Sequence, residues 1–373
     1  MKPGNPFIIT GYYSPEYFCN REQETERIIS ALKNGRNITL FSIRRLGKTG
    51  LIEHVFHKLK TDKNLILLYM DILPTEDLSG FINLFASAVL KKFESKPGII
   101  IKKIGKIFAN ARPVITFDPY TGIPNIQLSI QSEDDANKSL EDIFNYIRRT
   151  NKRTVIAIDE FQQITNYPEK NVEAVLRTYF QKARNVSFIF SGSRKHILLS
   201  IFGRYGKPFY QSTEMMQLER IDNRKYGNFI ISKFLSAKKN ITWETVSYIL
   251  EICRSHTYYV QLLCNRLYGL KDTVVRDAVV KELLNEILKE NEAVYINYKN
   301  LLTGYQWNVL KAIAKEGNAN LITSKDFISK YKLGTPSSVH TAVKSLLNKE
   351  LIYKEKEEYF VYDVFLERWL ERM

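Results

Sequence analysis

Apolar and polar positions follow two rhythms along the first part of the chain, one typical of strands and one typical of helices. Short, nearly continuous apolar runs, such as residues 65–72, are typical of strands buried on both faces of a parallel sheet. Between such runs, apolar residues recur at helical spacing on one face, as in residues 51–59. This repeated order predicts an α/β fold built on a five-stranded parallel sheet.

Two changes of pattern mark the predicted domain boundaries. Residues 1–218 carry the strand and helix repeat, with a predicted hairpin insertion at about residues 112–132 around a Pro/Gly-rich turn. Residues 219–299 show helical periodicity and no convincing strand, which predicts a helical lid domain. Residues 300–373 follow the order of three helices, two short strands and a final helix, which is the outline of a winged helix-turn-helix.

The first predicted strand runs directly into a P-loop sequence. Residues 42–49, SIRRLGKT, match G-x-x-x-x-G-K-[ST] except that Ser42 replaces the first glycine. The backbone N–H groups of such a loop bind phosphate at a helix N-terminus, and Lys48 adds a mobile positive charge. Thr49 offers its hydroxyl to Mg²⁺. The sequence therefore predicts ATP and Mg²⁺ as ligands. The residues predicted to contact the nucleotide in this loop are Ser42, Arg44, Arg45, Leu46, Gly47, Lys48, Thr49 and Gly50.

Two carboxylates follow a second buried strand. The apolar run at residues 154–159 ends in Asp159, and Glu160 comes next. Asp159 is predicted to reach Mg²⁺ directly or through water, which makes it a metal residue together with Thr49. Glu160 is predicted to orient and deprotonate the attacking water. Lys48, Asp159 and Glu160 are thus the predicted catalytic residues. The structural alternative is that both carboxylates only cap a turn after the strand.

Further side chains around this motif have more than one interpretation each. Ser191 and Ser193 end a strand expected beside the P-loop strand, where a small polar group can contact the γ-phosphate or the water. A simple exit from a strand explains them equally well. Arg44 and Arg45 lie inside the loop, where they can steady the triphosphate, contact a neighbouring subunit or pair with surface acids.

Apart from the predicted Mg²⁺ site, the sequence gives weak support for metal sites or disulfides. His54 and His57 form H-x-x-H on the helix after the P-loop, but no third ligand lies nearby, so a solvated helix face is favoured over a metal site. The cysteines are widely spaced, which suits reduced, buried thiols. They are Cys19, Cys253 and Cys264.

Charge and hydropathy bear on partners and location. The net charge is +15, which is compatible with a polyanion, but residues 301–373 carry only +2 of it. The basic residues concentrate at residues 91–112 and 177–207, where a solvated face is the simpler interpretation. No run of about 18 apolar residues and no secretory signal are found, so no membrane span is expected and the cytoplasm is the expected location.

The ordered set of motifs resembles the small AAA+-type ATPases of archaea and bacteria that end in a winged helix, relatives of the STAND signalling NTPases. The resemblance covers nearly the whole chain and implies ATP hydrolysis coupled to a conformational switch. It also implies that Asn20 and Arg21 lie near the adenine. The segments that carry it are FCNREQETERI (18–28), RRLGKT (44–49), IDEFQ (158–162), FSGSR (190–194), SHTYYVQLL (255–263), LTGYQWNVLKAIA (302–314) and TPSSVHTAVKSLLNKELI (335–352).

The chain departs from this family at two places. The lid motif of the family carries Gly-x-Pro, whereas residues 255–257 here are Ser-His-Thr. Many relatives have an arginine after a Pro-Leu-Tyr-Gly stretch, but Ser212 stands at that point, and Arg204 is the candidate substitute. Because an arginine finger accelerates phosphoryl transfer by about 10³–10⁵, slow hydrolysis is expected.

Two rival functions remain beside the ATP-driven switch: a nucleic-acid-binding regulator in which ATP is a static ligand, and a protein-interaction module with a degenerate nucleotide site. The intact Lys48, Thr49, Asp159 and Glu160 argue against the last. The predicted recognition helix begins at Thr335 and Pro336. With one lysine on its outward face, weak DNA binding and packing against an unidentified protein partner or the ATPase core are expected. The outward residues are Ser337, His340, Thr341 and Lys344.

Overall fold

The computed structural model describes residues 3–94, 104–105, 107–108, 113–117, 124–150 and 152–373. These residues belong to two units, which are described separately. One unit is Gly11–Glu219, and the other joins Met1–Thr10 to Arg220–Met373. The predicted lid and winged helix both belong to the second unit, as do the first residues of the chain. The division into three domains at residues 218 and 299 stays a prediction.

The unit Gly11–Glu219 alternates strands with helices, as the hydrophobic pattern indicates. Its strands are β1 (Ile38–Phe41), β2 (Leu65–Asp71), β3 (Pro113–Phe117), β4 (Pro124–Leu128), β5 (Arg153–Asp159), β6 (Val186–Gly192) and β7 (Glu214–Gln217). Its helices are α1 (Glu22–Lys33), α2 (Lys48–Leu59), α3 (Leu78–Phe93), α4 (Glu133–Arg149), α5 (Val172–Lys182) and α6 (Lys195–Gly203).

Five strands form the sheet of this unit in the order β2-β5-β6-β1-β7, and every neighbouring pair is parallel. Separate apolar clusters cover its two faces, which is why β1 and β6 are buried along their whole length. The predicted α/β fold with a five-stranded parallel sheet is confirmed. The register places Asp71 beside Asp159 and Leu40 beside Ser191, so the carboxyl ends of these strands meet at one edge.

The predicted hairpin is present as the antiparallel pair β3 and β4. The turn that joins them lies outside the described residues, as does most of the basic stretch at residues 91–112. Helix α4 begins at Glu133 because Ser132 caps it by accepting the N–H of Asp135 at 3.1 Å. Asp77 caps α3 in the same way through Gly80, at 2.6 Å.

In the second unit, the predicted lid region is helical. Its helices are α7 (Asn223–Ser236), α8 (Trp243–Ile252), α9 (Thr257–Gly269), α10 (Asp277–Glu290) and α11 (Glu292–Asn300). The expectation that this region lacks strands is wrong in one respect, since β8 (Asn240–Ile241) and β9 (Val274–Val275) form a short parallel pair. Two-residue strands leave no periodicity to detect. The N-terminal segment is tied to α9, because Asn5 and Asn265 each donate a side-chain N–H to the other segment's backbone carbonyls.

The remaining residues have the expected winged-helix order. The elements are α12 (Gly304–Glu316), α13 (Lys325–Tyr331), α14 (Pro336–Asn348), β10 (Ile352–Glu355), β11 (Glu358–Val361) and α15 (Val364–Leu370). A capping box between Thr303 and Gln306 starts α12, and Thr335 caps α14 ahead of Pro336 at its first position. None of the helices in the described residues is long and apolar enough to span a membrane.

A buried charged cluster joins α15 to the end of α8. The Glu367 side chain on α15 is fully buried, and Nη2 of Arg254 lies 2.8 Å from its Oε2. Arg368 approaches the same oxygen at 3.6 Å and donates from Nε to the carbonyl of Ile252 at 3.0 Å. Arg254 also donates to the carbonyl of Val361 at 2.9 Å. The cluster therefore fixes the terminal helix to the lid helices within this unit.

Candidate functional site

The predicted P-loop lies between β1 and α2, where parallel strands end. Two of its residues have left-handed backbone conformations, Arg45 with φ 66° and Gly47 with φ 93°. Gly47 adopts this conformation without a steric cost, whereas Arg45 stores strain of about 1–3 kcal/mol, a feature often found at functional sites. The loop therefore turns tightly into the first turn of α2, where free N–H groups and the helix dipole favour an anion.

Lys48 is held inside this loop. Its side chain is only 7% exposed, and Nζ donates to Oγ of Ser42 at 3.2 Å and to the Ser42 carbonyl at 3.5 Å. Burial lowers the pKa of Lys48, and the nearby carboxylates of Glu160 and Asp159 oppose that shift. The serine that replaces the first glycine of the motif thus supplies an acceptor for the ammonium group. A phosphate would be a stronger partner than these neutral oxygens.

Asp159 is the most fully hydrogen-bonded group of the site. Its Oδ2 accepts from the hydroxyl of Thr49 at 2.7 Å and from the hydroxyl of Tyr69 at 2.9 Å. Its Oδ1 accepts from the backbone N–H of Glu160 at 3.0 Å and from the hydroxyl of Ser191. The structure therefore brings together the predicted metal residues and Ser191. Tyr69 was not predicted, because an aromatic residue inside a buried strand carries no sequence signal for a site.

Glu160 is held by a second set of contacts. Its backbone is left-handed, with φ 54°, and its Oε2 accepts from the hydroxyl of Ser193 at 3.0 Å and from the side-chain amide of Gln162. Arg44 donates from Nε to the same Ser193 hydroxyl at 3.4 Å. A Cβ at Gly192 would come within 1.9 Å of Gln162, so this glycine makes room for the amide. Ser193 and Gln162 therefore orient Glu160, while the hydroxyl of Ser191 donates to Asp159 and orients that carboxylate.

Two more carboxylates surround this pair. Burial raises the pKa of Glu53 on α2 and of Asp71 at the end of β2, and the charge of Asp159 adds to both shifts. Among the described residues, Oε2 of Glu53 is buried without a hydrogen-bond partner. The hydroxyl of Thr49 and the carboxylate of Asp159, which lie 2.7 Å apart, are hard oxygen donors of the kind that Mg²⁺ prefers. Mg²⁺ in nucleotide sites takes one or two protein ligands and phosphate oxygens, so the residues present fit the ion.

Asn20 and Arg21, which the family resemblance places near the adenine, both have left-handed backbones at the start of α1, with φ 57° and 79°. The Arg21 side chain is buried, and its Nη1 donates to Oε1 of Glu24 at 2.7 Å. The role of both residues at the base stays a prediction. Arg204 is exposed in the loop after α6, and its proposed role as a substitute arginine finger also stays a prediction.

The expectation that His54 lies on a solvated helix face is wrong. Its ring is buried, stacks on Phe18 with centroids 4.3 Å apart, and has Nδ1 3.0 Å from the hydroxyl of Tyr12. Burial lowers the pKa of His54 to about 4 and raises the pKa of Tyr12 to about 12, so both are neutral at pH 7. The segment before α1 covers this face of α2, which helical periodicity in α2 alone does not reveal.

Residues 18–263 match the model of a protein family described as "ATPase domain predominantly from Archaea". Residues 293–372 match a second model, described as "Probable winged helix domain". Together these matches cover both the α/β unit and the C-terminal order of helices and strands. A search of curated proteins finds no match.

Among the solved structures with a similar fold are three archaeal proteins. A Walker-type ATPase of Pyrococcus abyssi superposes with a TM-score of 0.66 at 16% identity, covering 99% of this chain and 100% of that one. The ORC2 protein of Aeropyrum pernix, in ADPNP–ADP complexes, gives 0.58 at 14% identity, covering 98% and 95%. The ORC1 protein of Aeropyrum pernix, in complex with DNA, gives 0.54 at 14% identity, covering 99% and 96%. At these identities the likeness shows the fold alone.

Proposed function

Because this chain belongs to the family of ATPase domains found predominantly in Archaea, we propose that it hydrolyses ATP slowly with Mg²⁺ and acts as a conformational switch. The observation that carries the proposal is the hydrogen-bonded group formed by Thr49, Asp159 and Glu160 beside the buried Lys48. Phosphoryl transfer needs positioning and charge neutralisation, and this group supplies both.

Each residue has a specific role in this proposal. The P-loop N–H groups and Lys48 would hold the β- and γ-phosphates. The hydroxyl of Thr49 would hold Mg²⁺, with the carboxylate of Asp159 acting through Thr49 and water, and the ion would neutralise charge on the phosphates. Glu160 accepts the proton of the attacking water, and Ser193 keeps its carboxylate aimed at that position. Ser191 fixes Asp159 and does not need to reach the nucleotide.

Turnover is expected to be slow because Ser212 stands where many relatives carry an arginine finger. An arginine finger is worth about 10³–10⁵ in rate, so hydrolysis without one would leave ATP bound for long periods. Long-lived ATP and ADP states suit a switch of the STAND type, in which the two nucleotides favour different arrangements of the chain. The cytoplasm is the proposed location and an unidentified protein the proposed partner.

The decisive experiment compares Glu160→Gln with wild type in two assays. The amide holds the water but cannot take its proton, so phosphate release is expected to fall by about 10²–10⁴ while ATP affinity stays unchanged. Glu141→Gln, an exposed position on α4, is the matched control and is expected to behave as wild type. Normal phosphate release by Glu160→Gln would remove Glu160 from the proton-accepting role.

The second candidate function is a nucleic-acid-binding regulator in which ATP is a static ligand. One observation favours it: the predicted outward residues of α14 are all exposed, namely Ser337, His340, Thr341 and Lys344. The similar ORC1 protein was solved in complex with DNA. Against it, the exposed face holds a single lysine, and Lys354 in the wing pairs with Glu357 at 2.8 Å. Tight DNA binding that needs ATP but not hydrolysis would favour this candidate.

A further inference from the structure

The strand β2 lies at one end of the sheet order, so one of its edges has no neighbouring strand in the described part of the chain. Among those residues its ladder partners are all on β5. A free edge presents a row of backbone N–H and C=O groups that can pair with another extended chain. Natural proteins usually cover or protect such edges.

A groove of about 550 Å³ follows this edge between α2 and α3. Its floor is formed by Leu67, Leu68 and Tyr69 of β2, with Phe56 on the α2 side and Leu84 on the α3 side. Leu67 belongs to the apolar cluster on one face of the sheet and Leu68 to the cluster on the other. The groove therefore straddles the strand edge, with apolar walls on both faces.

The acidic and basic side chains that line this groove are Lys91 and Lys92 on the α3 side and Glu53 on the α2 side, so the groove is positive on its α3 side only. Lys91 and Lys92, at the end of α3, line it and are exposed. Neither lysine forms an ion pair within the described part of the chain. An extended peptide in this groove would bury alternate apolar side chains against the α2 wall and the α3 wall. Its carboxylates would form charge-assisted hydrogen bonds with the lysines. Nucleic acid would use the lysines but not the strand edge.

We propose that this groove is a docking site for an extended acidic peptide segment of a partner protein, which adds a strand to β2. The peptide backbone pairs with the free edge, its apolar side chains lie alternately against α2 and α3, and its carboxylates face Lys91 and Lys92. The proposal does not depend on ATP hydrolysis, because the residues that line the groove lie on β2, α2 and α3 and none of them belongs to the P-loop.

One side chain, Tyr69, connects the groove to the nucleotide site. Tyr69 lines the groove, and its hydroxyl donates to Oδ2 of Asp159 at 2.9 Å. A strand paired with β2 contacts the residue that helps to position the metal carboxylate. A bound peptide is therefore expected to change the Mg²⁺ dependence of hydrolysis as well as to bind.

The test uses the full-length protein without nucleotide and a displayed library of random peptides. Enriched sequences are expected to alternate apolar residues and to contain Asp or Glu. The best peptide is then synthesised with a fluorescent label, together with a version carrying proline at its centre, which lacks an N–H for strand pairing. Binding is measured by fluorescence anisotropy to the wild type and to Lys91→Glu/Lys92→Glu. Lys225→Glu/Lys289→Glu, with exposed lysines on α7 and α10, is the charge-matched control.

The double reversal at the groove is expected to weaken binding by about tenfold or more, since it places like charges against the peptide, and the control reversal by much less. Ala88→Gln, which fills the α3 wall while keeping both lysines, is expected to weaken it too. Circular dichroism verifies that each variant folds. The proposal is overturned if no alternating acidic sequence is enriched, if the proline version binds equally well, or if single-stranded DNA displaces the peptide while Ala88→Gln has no effect. The last result would assign the lysines to nucleic acid.

Discussion

Replacing Glu367 by glutamine tests how the protein tolerates a fully buried carboxylate. Burial raises the pKa of Glu367 to about 7, although the charges of Arg254 and Arg368 act in the opposite direction. The nearest guanidinium lies 2.8 Å away, yet neither carboxylate oxygen accepts a hydrogen bond from the described residues in good geometry. The loss of hydration therefore outweighs the ion pairing, and the carboxyl group is more stable protonated than it would be in water.

The size of this effect follows from the pKa shift. A rise from 4.5 to about 7 is worth on the order of 3 kcal/mol, at 1.36 kcal/mol per pKa unit. Because the folded-state pKa is the higher one, the stabilisation is fully present below about pH 4.5 and is lost as the pH rises through about 7. The free energy of unfolding of this unit is therefore expected to be lower at pH 8 than at pH 5 on account of this group.

Glu367→Gln keeps the shape and removes the ionisation. It is expected to flatten this part of the pH dependence and to be at least as stable as the wild type at pH 8. Urea unfolding followed by tryptophan fluorescence at pH 5 and pH 8 measures both quantities, since Trp307 and Trp369 lie in the same unit. Glu282→Gln is the control, because that side chain is exposed on α10 in the same unit. A variant that is less stable than wild type by about 3–5 kcal/mol at pH 8 would show that the ionised pair with Arg254 dominates instead.

The remaining predictions concern the nucleotide site and the winged helix. Lys48→Ala is expected to abolish ATP binding while thermal unfolding stays cooperative, and near-normal affinity for a labelled ATP analogue would contradict the P-loop assignment. Tyr69→Phe removes a charge-assisted hydrogen bond worth about 1.5 kcal/mol, so the Mg²⁺ concentration for half-maximal phosphate release is expected to rise roughly tenfold; an unchanged Mg²⁺ titration would exclude this role. Lys344→Ala/Lys354→Ala in the full-length protein is expected to change the slope of log DNA affinity against log salt by less than about 1, against about 1.8 if both lysines neutralised phosphates.

The elements that the sequence predicts well are those with long, strongly patterned segments. The buried strands β2, β5 and β6 are nearly continuous apolar runs, and the P-loop is a local sequence, so both are visible without tertiary information. The strand at Glu214–Gln217 has only four residues and a mixed pattern, so its pairing with β1 decides its structure and its sequence does not.

The parts of the site that escaped prediction depend on contacts between distant segments. Tyr69 reaches Asp159 only because β2 and β5 pair in register, and the sequence separation of the two residues is 90. Ser42 stands as a weakened motif position in the sequence, yet in the fold its hydroxyl accepts from Lys48. His54 is buried by a segment that precedes α1, which no helical pattern within α2 encodes. These three features depend on strand register and on how segments pack in the fold, which local sequence patterns do not specify.

The hydrogen bonds of Asp159 bear on how this residue serves Mg²⁺. An ionised carboxylate has about four acceptor sites, and those of Asp159 receive Thr49, Tyr69, Ser191 and the N–H of Glu160. A direct bond to Mg²⁺ would displace one of these donors, whereas Thr49 can keep donating to Asp159 while its oxygen lone pair faces the ion. The arrangement therefore favours an indirect role, in which Asp159 orients Thr49 and the water around the metal. A nucleotide-bound crystal structure with an Asp159 oxygen about 2.1 Å from Mg²⁺ would contradict this reasoning.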